Sequence, residues 1–206
     1  MRFLVISLLA FVFVQCKSVV PKDTYKSLAV VQQPTVNPYF TDLEYDYVYK
    51  INIEVYSNEM SGLLIIKRIG EDAHRVVCTS QFGTTFFDFE LSPKENKVHT
   101  VIEAMDKKFI INTLLRDFTT LIQPKAEIKK AYQGVTYKVL KTAGRSQKNF
   151  YFYTGDAEQL SHIIRSGMLG KQITINFDAV DTNKATAITI NHHDIALAMA
   201  LELIKN

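Results

Sequence analysis

The sequence predicts a mainly β protein of the α+β class, in which a long antiparallel sheet is crossed by one amphipathic helix. Three observations predict it. Residues 60–91, MSGLLIIKRIGEDAHRVVCTSQFGTTFFDFEL, hold three short apolar runs broken at Gly70-Glu71-Asp72 and at Phe82-Gly83-Thr84, the pattern of an antiparallel meander. Thirteen Phe and ten Tyr without a Trp favour strands. Residues 107–123 then switch from a period of two to a helical period.

The chain begins MRFLVISLLAFVFVQC. Arg2 precedes an apolar run over residues 3–14, shorter than the roughly 20 residues of a spanning helix and shaped like the n- and h-regions of a secretory signal. Cys16 follows at once, which resembles the lipobox of bacterial lipoproteins, where the thiol receives a diacylglyceryl group. Gln15 stands where a small residue is usual, a relaxed form found in the Bacteroidetes. Cys16 is therefore the candidate lipidation site; the alternative is an ordinary signal peptide with an incidental thiol. The only other cysteine is Cys78, so no disulfide framework is expected. Cys78 reads as a small apolar strand residue.

Residues 17–40 carry Pro21, Pro34 and Pro38 with little periodicity, and read as a tether between segment 1–16 and a single domain over 41–206. Within that domain residues 47–56 are the clearest strand: Tyr47, Tyr49, Ile51, Ile53 and Val55 alternate with a mostly polar set. Residues 62–69 are apolar on both faces until Lys67, so both faces need covering. Residues 74–81, 85–91 and 97–104 complete five successive strands, with Ser92-Pro93 at the last turn. In 107–123 Ile110, Ile111, Leu114, Leu115, Phe118, Leu121 and Ile122 draw one wide stripe, with Asp106 as N-cap and Pro124 as the stop. Strands return at 135–142, 149–154, 172–180 and 185–192, while 160–168 is ambiguous. The tail 195–204 has helix-favouring composition but strict alternation, and the alternation predicts a last strand.

Composition excludes several function classes. A net charge of +3 gives no reason to expect a nucleic-acid partner. Lys129, Lys130, Lys138, Lys141, Arg145 and Lys148 do gather without an intervening acid, which reads as a solvated face or as attraction to anionic head groups. There is no phosphate loop, CxxC, HExxH or GxSxG, so neither an enzyme, a cofactor nor a metal site is expected. His192 and His193 are adjacent on a strand and point to opposite faces, so they cannot readily share a metal. Phe82 is peculiar as the tip of a turn. An aromatic there is folded back, covered, or pressed into something apolar.

Taken together, the lipobox-like Cys16, the meander, the crossing helix and the returning strands resemble the LolA/LolB family of lipoprotein carriers. The likeness is sharpest at Ser61-Gly62-Leu63-Leu64, similar to a LolB strand start, and at Thr79-Ser80-Gln81-Phe82-Gly83, similar to LolB's protruding turn. No Arg follows Gly62 and no Pro precedes Phe82. The resemblance implies an incomplete antiparallel β-barrel (a half-barrel) closed by a helical lid, with acyl chains held between them. It also implies Phe82 as the membrane-inserting residue. By alternation Tyr49, Ile51, Ile53, Leu63, Ile65, Val77, Phe87 and Phe89 line the hollow, with Leu114 and Phe118 from the lid. Each buried CH2 contributes roughly 0.8 kcal/mol. The expected function is that of a non-enzymatic outer-membrane lipoprotein facing the periplasm. Its expected partners are acylated lipoproteins or other lipids, with a periplasmic carrier protein as donor. The alternatives are a structural or assembly lipoprotein and a lipid sensor without transfer.

Overall fold

The computed structural model describes residues 18–30, 35–144, 147–154, 159–168, 170–180 and 183–204. The expected signal segment with Cys16, and Arg145, lie outside the described residues.

Among the described residues thirteen strands form one open antiparallel sheet. They are β1 (Lys26–Leu28), β2 (Asp46–Val55), β3 (Asn58–Arg68), β4 (His74–Thr79), β5 (Thr85–Leu91), β6 (Asn96–Val101) and β7 (Ile128–Gln133). There follow β8 (Tyr137–Thr142), β9 (Lys148–Thr154), β10 (Leu160–Gly167), β11 (Gly170–Ala179), β12 (Ala185–His192) and β13 (Leu197–Leu203). Their spatial order is β1-β7-β8-β9-β10-β11-β12-β13-β2-β3-β4-β5-β6. Two meanders, β2–β6 and β7–β13, are therefore joined where β13 pairs with β2.

The connection from β6 to β7 has to travel from one end of the sheet to the other, and the helix α1 (Lys108–Ile122) makes that journey. It crosses the inner face and buries Leu114, Phe118, Leu121 and Ile122 against strands of both meanders. The fold is thus the half-barrel with a helical lid that the sequence predicts. Asp106 does not cap α1. It closes a single 3-10 turn at Glu103–Met105, and Lys107 holds the N-cap position without a side-chain hydrogen bond. The tail forms β13, so alternation outweighs helix propensity where two strand edges wait to be paired.

The boundary drawn at residue 40 needs correction, because the segment expected as a tether is packed. β1 pairs with β7 at the sheet edge. Val36, Tyr39 and Phe40 are buried in the main core on the inner face. Val20 belongs to a second, smaller cluster with Val139, Phe150, Phe152 and Ile164. Val20 therefore packs on one face of β8–β10, Val36 and Tyr39 reach the other through Tyr153 and Leu160, and Phe40 packs against Tyr47 and Tyr49 of β2. Val20, Val36, Tyr39 and Phe40 gain more by burial than by serving as a solvated tether, and Pro21 and Pro38 beside them do not prevent contact.

Candidate functional site

The hollow is built from the inner face of the sheet and the underside of α1. Pairing fixes which residues face inward, because opposite residues of an antiparallel pair share a face. Tyr49 lies opposite Leu64 and Leu64 opposite Cys78, which in turn lies opposite Phe87. All four are fully buried. Tyr47, Ile66, Val76 and Phe89 form the next inward row.

Of the ten expected lining residues, Tyr49, Ile51, Ile53, Phe87, Phe89, Leu114 and Phe118 are buried in the main core. The other three are corrected. Leu63, Ile65 and Val77 occupy the outer face, where Val48, Ile65, Val77 and Asp88 make one cross-strand row, and all three are only half-buried. Their inward places are taken by Leu64, Ile66, Val76 and Cys78. Residues 62–66, GLLII, are apolar at every position, so alternation cannot tell the two faces apart. The tight turn at Tyr56-Ser57 sets the register instead: it pairs Val55 with Asn58, with Tyr56 at a left-handed φ of 53°. Gly62 explains the Ser61-Gly62 feature. A Cβ there would lie 2.0 Å from the Thr79 carbonyl oxygen, so only glycine lets β3 and β4 close at that point.

Beneath the middle of α1 the hollow is solid. Phe87 stacks on Phe89 at 4.7 Å between ring centroids and meets Phe118 at 5.4 Å. Buried tyrosines tie the wall together: Tyr39 Oη donates to the Leu160 carbonyl at 2.6 Å, Tyr49 Oη to Ala185 at 2.9 Å and Tyr153 Oη to Val36 at 2.6 Å. Burial raises the Tyr49 hydroxyl well above the ordinary phenol range and pushes the Cys78 thiol up to about 12, so Cys78 is an inert core residue.

Space opens at both ends of the helix. At its N-terminal end a cavity of about 290 Å3 lies between α1 and β2, β3 and β13, walled by Ile53, Met60, Met105, Ile110, Leu114 and Leu197. Tyr56 and Phe109 stand at its edge, 70% and 54% exposed. Phe82 lies at the same end of β2–β5, on the β4–β5 loop, and is 97% exposed. That loop is well held. Ser80 Oγ accepts from the N–H groups of Phe82 (3.2 Å) and Thr84 (3.0 Å), Ser80 N–H donates to Thr84 O at 2.7 Å, and Gly83 takes a φ of 87°. At the C-terminal end of α1 a larger recess of about 520 Å3 is lined by Leu91, Pro93, Ile122, Pro124 and His74, among others. His74 Nε2 faces the Phe40 carbonyl at 2.8 Å, and burial keeps its imidazole below the ordinary value.

One group was missed in the sequence. Asp117, on the buried side of α1, is 0% exposed and receives Arg165 Nη2 of β10 at 2.7 Å and His192 Nε2 of β12 at 2.7 Å. Arg165 also donates to Thr120 Oγ1 at 3.1 Å. An acid inside an apolar helical stripe was the one signal that something charged waits opposite it. His193 points away and meets Thr174 Oγ1 at 2.8 Å, so the neighbouring imidazoles do diverge.

The inward-facing half-barrel with its helix defines an open, lidded β-architecture, and a solved structure shares it. A LolA superfamily protein from Nitrosomonas europaea superposes with a TM-score of 0.51 at 9% identity, covering 83% of this chain and 88% of that one. A candidate outer membrane lipoprotein-sorting domain from Vibrio parahaemolyticus gives 0.43 at 7% identity over 78% and 83% of the two chains. A DUF1329 family protein from Desulfovibrio piger gives 0.43 at 6% identity over 80% and 86%. No family model and no curated protein matches the sequence. The likeness to the Nitrosomonas europaea protein supports the fold alone.

Proposed function

We propose that the protein is a non-enzymatic, lipid-binding lipoprotein that accepts acyl chains between sheet and lid and passes acylated proteins or other lipids to a membrane. In this reading Cys16 carries the anchor, the domain faces the periplasm from the outer membrane, and a periplasmic carrier protein supplies the cargo. The observation that carries it is the apolar cavity walled by Ile53 and Leu114, with exposed Phe82, Tyr56 and Phe109 at the same end of the sheet. A cavity of this size lies at the lower end of the range of small-molecule pockets, and apolar exposure of this kind marks an interaction surface. The Phe82 loop is pre-ordered by Ser80, so little ordering entropy opposes its insertion into an apolar phase.

Solid packing under the middle of α1 favours a second reading, an envelope assembly protein with a filled core. It would act through the basic surface where Lys130 lies opposite Lys141. Burial, then the nearby Lys148 and Lys130, hold Lys141 below the ordinary lysine value. Native mass spectrometry with lipid extraction separates the two. Acyl species that co-purify and disappear in Leu114→Asp support the carrier. A lipid-free protein that takes up no fluorescent fatty acid supports the assembly role. Phe82→Glu should impair lipoprotein delivery in a folded protein, and normal delivery would remove that residue from the transfer step.

A further inference from the structure

Two recesses of opposite character meet at the C-terminal end of α1. The first is the 520 Å3 recess with Leu91, Pro93, Ile122 and Pro124 in its wall. The second, of about 310 Å3, has Arg116, Thr119, Thr120, Gln147, Asn149 and Arg165 in its wall. They adjoin along Thr119, Gln123, Ala126 and Glu127, which line both. An apolar chamber beside a polar one is the shape of an amphiphile.

The polar chamber contains unspent donors. Arg165 is 3% exposed; its two Nη atoms go to Thr120 and Asp117, and its Nε has no partner among the described residues. Thr119 Oγ1 is likewise buried without one. Groups of this kind, hidden from water, are costly to leave unmatched. Charge points the same way. Glu127 is matched by Lys129 at 2.5 Å, and Asp117 offsets Arg165, which leaves the positive charge of Arg116 over. Arg116 donates to the Asn112 carbonyl and to Thr113 Oγ1, both within its own helix. The negative end of the helix dipole opposes an anion here, but it is weaker than a single charge-assisted hydrogen bond.

We propose that this end of the lid is a second ligand site, distinct from the Leu114 cavity, which binds a single-chain amphiphile with an anionic oxygen head group. The head lies in the polar chamber against Arg116, Arg165 and Thr119, and the chain lies in the recess beside Pro93 and Ile122. A carboxylate and a phosphate head satisfy the same donors.

Titration of the full chain with dodecanoate, dodecyl phosphate and dodecanol, read by native mass spectrometry, tests the site. The anionic ligands should bind about tenfold more tightly than dodecanol, the effect of one charged hydrogen bond. Arg116→Gln, an exposed substitution, and Thr119→Val should each reduce that preference and leave dodecanol unchanged. Pro93→Glu should remove the advantage of dodecyl phosphate over butyl phosphate. A preference for dodecanoate alone supports a free fatty acid, and one for dodecyl phosphate alone a phosphate-headed lipid. Equal binding of all three, or a preference untouched by Arg116→Gln and Thr119→Val, overturns the site. It would leave the acyl-chain reading of the Leu114 cavity standing, because that reading is tested separately by Leu114→Asp.

Discussion

Strands β2–β5 are buried on one face, whereas β8–β10 are buried on both. In β2 the burial alternates strictly from Tyr47 to Ile53, while in β9 four successive residues, Phe150–Tyr153, are all buried. The difference lies in the chain that covers them. Val19, Val20 and Tyr25 lie over the outer side of β8–β10, and among the described residues nothing comparable lies over Leu63, Ile65 and Val77. A one-sided strand announces its core face by alternation, whereas a two-sided strand announces only that a second layer exists. α1 bridges these two regions, touching β5 through Phe118 and β10 and β12 through Asp117.

The bridge is where the comparison breaks most sharply. Asp117→Leu should destabilise the fold by about 3–5 kcal/mol, because it strands Arg165 in a buried place. Adding Arg165→Met should restore much of that loss, as an apolar pair of similar volume carries no desolvation cost. Urea unfolding midpoints of the single and double variants decide this; a double variant as weak as the single would mean that the pair itself contributes net stability.

A smaller substitution separates the two regions. Val20→Ala removes roughly two methylene equivalents, or about 1–2 kcal/mol, from the outer cluster alone. Amide hydrogen exchange should then quicken in β8–β10 and stay unchanged in β3–β5. Uniform quickening would show that the outer layer is no independent unit.

Each region also holds an imidazole that burial depresses. His162, stacked on Phe152 at 4.2 Å, is held down to about 4 by burial and then by Lys171, so it is neutral in the fold at pH values where the unfolded chain takes up a proton. Its contribution is full above about 6.5, the ordinary imidazole value, and is lost as pH falls toward about 4. The melting temperature should decline over that window, and His162→Phe should flatten the decline. A slope from buried His74, depressed in the same direction, should remain. The smallest effect is expected at the exposed tip: Phe82→Glu should change stability by no more than about 0.5 kcal/mol, checked by its urea midpoint.

Legibility in the sequence follows the same contrast. β2, α1 and its stop at Pro124 could be read directly because one face or stripe was polar, and the rest of the β2–β6 meander because turn residues such as Gly70 and Gly83 punctuate it. β13 could be read because Leu197, Met199 and Leu201 alternate with Ala198, Ala200 and Glu202. β7 was missed because its buried Ile128 and Ala131 are separated by Lys129 and Lys130, which mask the period. β10 stayed ambiguous since Ile163, Ile164 and Arg165 are all buried in a row. Within the candidate site, faces could be assigned where alternation existed, as at Tyr49, Ile51 and Ile53. They were lost in the all-apolar run around Leu63 and Ile65. The Asp117–Arg165–His192 contact joins residues 48 and 75 positions apart, a separation that no local pattern encodes.

The seam between β2 and β13 has a consequence for how the molecule comes into being. Val55 waits for Leu197, and Ile51 for Leu201, so the first meander is synthesised long before the strand that completes it. Until then β2 offers an open edge with Tyr49, Ile51 and Ile53 beside it, the kind of template that recruits strands from other molecules. Because β13 comes last among the described strands, this pairing is of the non-local kind that slows folding, and a nascent chain lacking β13 leaves the edge of β2 open to other molecules.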